Sequence, residues 1–184
     1  MADDSITVGK PAKQRLGDYE LIRRIGAGAY ADVWLAKDAV GKYVAVKVID
    51  RERLALISRR NREEEALSLL RTKLPEHPQL IRVHHVGAEG PHFYYVMDLA
   101  DDATPSPQDS SAQEAIEVDT YRPLTLDEFV HAQGRLPVSG AIAIIKDLLS
   151  AVACLHDRGF LHRDIKPSNV VALAANGNLR TSGC

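Results

Sequence analysis

The chain changes regime near its middle, from mostly strand-like to mostly helical patterning, and that change limits its architecture more than any other feature. Before it, YELIRRI, DVWLAK and YVAVKVI carry β-branched and aromatic residues in partial alternation, separated by glycine-containing turns, and read as three antiparallel strands. LIRVHHVG and HFYYVMDL read as two more, the second ending in an acidic step. Between these groups, residues 61–73 put Leu67, Leu70 and the adjoining Leu74 on one helical face, with Glu63, Glu64 and Glu65 in the first turns, where carboxylates suit the helix dipole. Five strands and one helix predict a compact α+β lobe.

Past the change the chain reads differently. Asp98 to Asp119 holds seven acidic residues, no Lys or Arg, Pro105 and Pro107, a composition that predicts a mobile, solvated insertion. Thr125, with Glu128 three residues on, forms a capping box that opens a short helix. Ser139 is the expected cap of a longer helix, in which Ile142, Ile145, Leu149, Val152 and Leu155 recur at helical intervals. No internal repeat of solenoid length is visible.

Composition narrows the function classes. A formal net charge of -2 over 184 residues, with 45% hydrophobic and 26% charged, suits a soluble domain of one or two lobes and supplies no basic cluster for nucleic acid or an anionic membrane. Cys154 and Cys184 are far apart and form no metal-type pair, which fits a reducing compartment and a cytoplasmic setting. The polar start MADDSITVGKPAKQ lacks the apolar core of a signal peptide. AIAIIKDLLSAVACL, interrupted by Lys146 and Asp147, reads as too short to span a bilayer, so no membrane segment is expected.

The chemistry-bearing residues lie in three places. IGAGAYADVW puts Gly26 and Gly28 between two strands, where backbone N–H groups can approach phosphate oxygens, although taken alone such a hairpin is more often a plain turn. VAVK ends an apolar strand on Lys47, whose ammonium must either reach water or meet an anion; Glu63 on the following helix is one candidate partner. HRDIKPSN then crowds His162, Arg163, Asp164, Lys166 and Asn169 into one short segment, anchored by Leu161, Ile165, Val170 and Val171. Adjacent His84 and His85 point to opposite faces of a strand and make no chelating pair.

HRDIKPSN, VAVK and the glycine-rich hairpin, in this order and spacing, resemble the signature set of the eukaryotic-type protein kinase family, from about Tyr19 to the end of the chain. Lys166, two residues after Asp164, is of the serine/threonine type. The resemblance implies a protein-kinase-like fold, with a flexible segment at 1–18 and a partial kinase domain at 19–184. That domain divides into an N-lobe at 19–100, the acidic insertion at 101–120 and the start of a mainly helical C-lobe at 121–184. It also implies ATP and Mg2+, with a protein substrate bearing a serine or threonine hydroxyl. Asp164 would accept or orient the hydroxyl proton, Lys166 would balance phosphoryl charge, and Asn169 would help hold the metal. Lys47 would contact the α and β phosphates while pairing with Glu63, with Glu64 as fallback. Val33 and Ala45 would cover one face of the adenine and Val171 the other. Met97 would sit at the back of the pocket, and the backbone of Asp98 and Ala100 would bond the adenine edge.

Three departures qualify this. Ala31 replaces the third glycine of the loop, a mild change. The acidic insertion exceeds the family's usual connection at that point. Asn176-Gly177 suits the hairpin after the loop, but NLRTSGC stands where Asp-Phe-Gly is expected and no acidic residue follows Asp164. Phosphoryl transfer by this chain is therefore expected to be impaired, the chain is expected to be a truncated or frame-disrupted reading of a longer kinase, and the apolar helix faces are expected to be exposed and to self-associate. The alternative reading is a catalytically dead fragment or pseudokinase that serves as a nucleotide- or protein-binding module. A small-molecule phosphotransferase of similar fold suits Lys166 less well.

Overall fold

The computed structural model describes residues 14–29, 31–53, 75–103, 116–162, 164–173 and 178–181. Its first half is one antiparallel sheet of six strands in the order β1-β2-β3-β4-β6-β5. The strands are β1 (Gln14–Leu16), β2 (Tyr19–Ala27), β3 (Ala31–Lys37), β4 (Tyr43–Asp50), β5 (Val83–Glu89) and β6 (His92–Met97). Five of them are the strands read from the sequence. The sixth, β1, lies in the segment expected to be flexible. It turns back onto β2 through Gly17 and Asp18, Gly17 at φ 57, and buries Leu16.

Both faces of this sheet are covered, and the two-residue period of the central strands sorts their side chains. Ala45 and Ile49 on β4, with Phe93, Tyr95 and Met97 on β6, pack into one cluster together with Ile81, Ala100 and Val171. Val44 and Val46 on β4, with Tyr94 and Val96 on β6, pack into a second cluster with Leu16, Leu21 and Ala36. Coverage on both sides explains why β4 and β6 read as nearly continuous apolar runs. The helix expected at 61–73, with Glu63, Glu64, Leu67 and Leu70, lies outside the described residues, as does the interior of the acidic insertion at 104–115.

The second half holds α1 (Leu126–Gln133), α2 (Val138–His156), a 3-10 turn at Pro167–Asn169 and a small hairpin of β7 (Val170–Leu173) and β8 (Asn178–Thr181). The Thr125 half of the box at α1 forms, the Glu128 N–H donating to Thr125 Oγ1 at 3.1 Å, while the Glu128 carboxylate lies 3.8 Å from Arg122. The cap expected at Ser139 does not form. Pro137 takes that place with no side-chain bond, because the fixed φ of proline already suits a helix entry. With that longer start α2 reaches 19 residues at a mean hydropathy of 1.9, long and apolar enough by length and composition to cross a membrane, which corrects the expectation that the segment is too short. It buries Ala151 and Leu155 against Leu80, and it leaves Ile142, Ile145 and Leu149 at 48%, 55% and 62% exposure.

Three backbone strands are stitched where the halves meet. The Asp101 N–H donates to the Ala172 carbonyl, the Ala172 N–H to Leu124, and the Leu124 N–H to Asp101. This closed set places Val171 beneath the sheet's first cluster and so joins β7 to the segment that follows β6.

Candidate functional site

The site lies between that first cluster and the loop that precedes β7. The cluster unites five residues assigned in advance to a nucleotide base: Ala45, Met97, Ala100 and Val171 are buried and Val33 packs against them. Register explains the grouping, since Ala45 pairs with Met97 across β4 and β6, while Val33 faces Lys47 across β3 and β4. Lys47 belongs to the same row of β4 as Ala45 and Ile49, and so points to the same side of the sheet. Its Nζ stands 5.5 Å from the centre of the Tyr95 ring, a cation–π contact.

The glycine hairpin connects β2 to β3. Gly26 pairs with Val33, and the Gly28 N–H donates to the Ala31 carbonyl at 2.8 Å. A Cβ on Gly28 would stand 2.9 Å from that carbonyl oxygen, so the close turn itself requires glycine there. Arg53 braces the hairpin from outside, donating to the Gly28 carbonyl at 2.9 Å and to Asp32 Oδ2 at 3.1 Å.

The segment after Met97 is held by its own contacts. The Asp98 N–H donates to the Arg82 carbonyl at 3.1 Å, and its carboxylate meets His84 Nε2 at 2.6 Å. His85 instead lies near the rings of Tyr19 and Tyr94, so the two histidines diverge as expected. The carbonyl of Ala100 accepts the Tyr121 hydroxyl at 2.9 Å, and burial pushes that hydroxyl's pKa well up.

Asp164, Lys166 and Asn169 converge. Lys166 Nζ lies 3.0 Å from Asp164 Oδ2, and Asn169 Nδ2 donates to the same oxygen at 2.9 Å and to the Asp164 carbonyl at 2.8 Å. The 3-10 turn Pro167–Asn169 folds Asn169 back towards Asp164, and buried His162 supports the loop from below, its carbonyl accepting the Asp164 N–H at 2.8 Å. The hydrogen bond from Lys166 holds the Asp164 carboxyl below the usual carboxylate range, against the upward push of its partial desolvation. Asn169 and the positive charges of Lys166 and Lys47 act in the same direction as that bond. Lys47 therefore acts on the same carboxylate from across the site. Its expected partner Glu63 lies outside the described residues.

The metal is a separate question. Mg2+ needs several oxygen ligands in near-octahedral geometry. The loop offers the Asp164 carboxylate and the Asn169 amide, and no group of three His, Cys, Asp or Glu able to hold an ion occurs among the described residues. These donors do not make up a Mg2+ site by themselves.

Sequence reasoning missed Tyr121, Arg23 and the His84–Asp98 contact. Tyr121 carried one faint signal, a lone aromatic directly after a polar, acidic stretch.

Comparison with known proteins identifies the family. A family model described as the protein kinase domain matches residues 19–182. The CBL-interacting serine/threonine-protein kinase 7 of Arabidopsis thaliana is 36% identical over 94% of this chain and 35% of its own length. The serine/threonine-protein kinase PrkC of Bacillus subtilis is 29% identical over 92% of this chain and 23% of its own. The crystal structure of the PknI kinase domain of Mycobacterium tuberculosis superposes with a TM-score of 0.69 at 20% identity, covering 95% of this chain and 62% of that one, a likeness of fold. The chain thus spans about a third or less of the length of these curated relatives.

Proposed function

We propose that this chain, which belongs to the protein kinase family, supplies the nucleotide site and catalytic loop of an ATP-dependent serine/threonine protein kinase. The observation that carries the reading is the convergence of Lys166 and Asn169 on one oxygen of Asp164. An ionised carboxylate held in place by two donors can receive a proton from a substrate hydroxyl. As the hydroxyl oxygen bonds to the γ-phosphorus, the β–γ bridging P–O bond breaks and ADP leaves, and Asp164 takes the hydroxyl proton. Lys166, beside Asp164, offsets the negative charge on the transferring phosphoryl group. Val33, Ala45, Met97 and Val171 enclose the adenine, the backbone of Asp98 and Ala100 meets its edge, and Gly26 and Gly28 admit the phosphates to Lys47. Mg2+, when bound, would neutralise phosphate charge with Asn169 as one ligand.

A second reading, a nucleotide- or protein-binding module without transfer, is favoured by the sparse metal donor set among the described residues, the Asp164 carboxylate and the Asn169 amide. Self-association through the exposed face of α2 belongs with either reading. One experiment separates them. With Mg-ATP and a generic serine/threonine protein substrate, the first reading expects phosphate incorporation that drops by about 100-fold or more in Asp164→Asn. No incorporation, together with nucleotide-induced thermal stabilisation that vanishes in Lys47→Ala, leaves the binding module.

A further inference from the structure

Arg23 lies on β2, three residues before Gly26, between two irregularities of the β2–β3 ladder, one at Leu21/Arg23 and one at Arg24/Gly26. Such irregularities turn a strand locally and re-aim its side chains. The Arg23 guanidinium leaves the sheet and donates from Nε to the Val118 carbonyl at 2.9 Å and from Nη2 to the Tyr121 carbonyl. Val118 lies at the end of the acidic insertion and Tyr121 just past it, and Tyr121, at 1% exposure, passes the connection on through its hydroxyl to the Ala100 carbonyl. The neck of the insertion is closed beside it: Asp102 pairs with Pro123, the Ala103 N–H donates to Arg122 and the Arg122 N–H donates to Asp102 Oδ1. The acceptors are therefore themselves held in place.

We infer that Arg23 is a positioning residue for the nucleotide, a latch that holds the glycine-bearing strand at a set height above the segment following Met97. The inference rests on the nucleotide reading above. Two carbonyl acceptors fix a planar guanidinium in position and orientation, which an ammonium on a flexible stem does only partly. Without the latch, Tyr121 still holds Ala100, so the adenine edge keeps its partners. Gly26 and Gly28 lose their fixed distance from it, so the phosphates bear the loss.

The test measures dissociation constants for ATP and for adenosine by calorimetry on the whole chain, as wild type, Arg23→Ala and Arg23→Lys, with circular dichroism to confirm folding. Arg23→Ala should weaken ATP about tenfold, the size of one charge-assisted hydrogen bond, and adenosine less than about twofold. Arg23→Lys should fall between wild type and Arg23→Ala for ATP, and it serves as the readout if the alanine variant does not fold. Unchanged ATP affinity in a folded variant, or equal losses for ATP and adenosine, overturns the latch and leaves the nucleotide reading intact. A wild-type chain that binds neither ligand overturns both.

Discussion

The sheet and α2 are built from the same kinds of side chain and end in opposite states. Leu35, Ala36 and Val46 of the sheet are fully buried, whereas Ile145 and Leu149 of α2 are more than half exposed. A strand with apolar residues on both faces completes its core by pairing with its neighbours, because each added strand extends both layers at once. A helix has one apolar stripe and no such route. It buries that stripe only where another element lies against it, as Leu80 lies against Ala151 and Leu155. Apolar content alone therefore does not say whether a segment is core. Topology does.

The contrast can be broken most strongly from the sheet side. Leu35→Ala removes a side chain at 0% exposure and should cost about 2–5 kcal/mol of stability, read as a lower midpoint in urea unfolding. On α2, Leu149→Glu should change stability by no more than about 0.5 kcal/mol, and under the proposed self-association through this face it should reduce association in sedimentation. A loss of stability as large as that of Leu35→Ala would show that Leu149 is packed in solution and would erase the contrast.

The smallest effect is local. Because the Asp164 carboxyl titrates below its usual range, its pairing stabilises the loop at neutral pH, and the contribution is lost as the pH falls through that depressed value. Lys166→Ala removes the largest cause and should raise the Asp164 pKa towards 3.8, followed by carboxyl NMR between about pH 2 and pH 6. The variant should leave both regions of the comparison intact.

Much of this was legible in the residues. Five strands, the Thr125 cap and the chemistry-bearing residues of HRDIKPSN follow from period, capping chemistry and spacing, all of which act over a few positions. β1 is not legible, because three residues carry too little pattern, and the cluster that buries Leu16 draws on strands as far along the chain as β6 as well as on neighbouring β2. The start of α2 was misread because a serine resembles a cap wherever it stands, whereas the Pro137 backbone decided the entry.

The sequence by itself determined the chemistry available: an aspartate, a lysine and an asparagine spaced so that one loop can gather them, and a lysine within an apolar strand, which runs on past it to Asp50. Only the tertiary structure decided that Val33, Ala45, Met97, Ala100 and Val171 share one cluster, that Lys47 acts on Asp164, and that Arg23 reaches Val118 and Tyr121. The reason is distance along the chain. Period and capping are settled within a turn or a strand, whereas a contact across nearly a hundred residues forms only when sheet register and hairpin stitching bring its partners together.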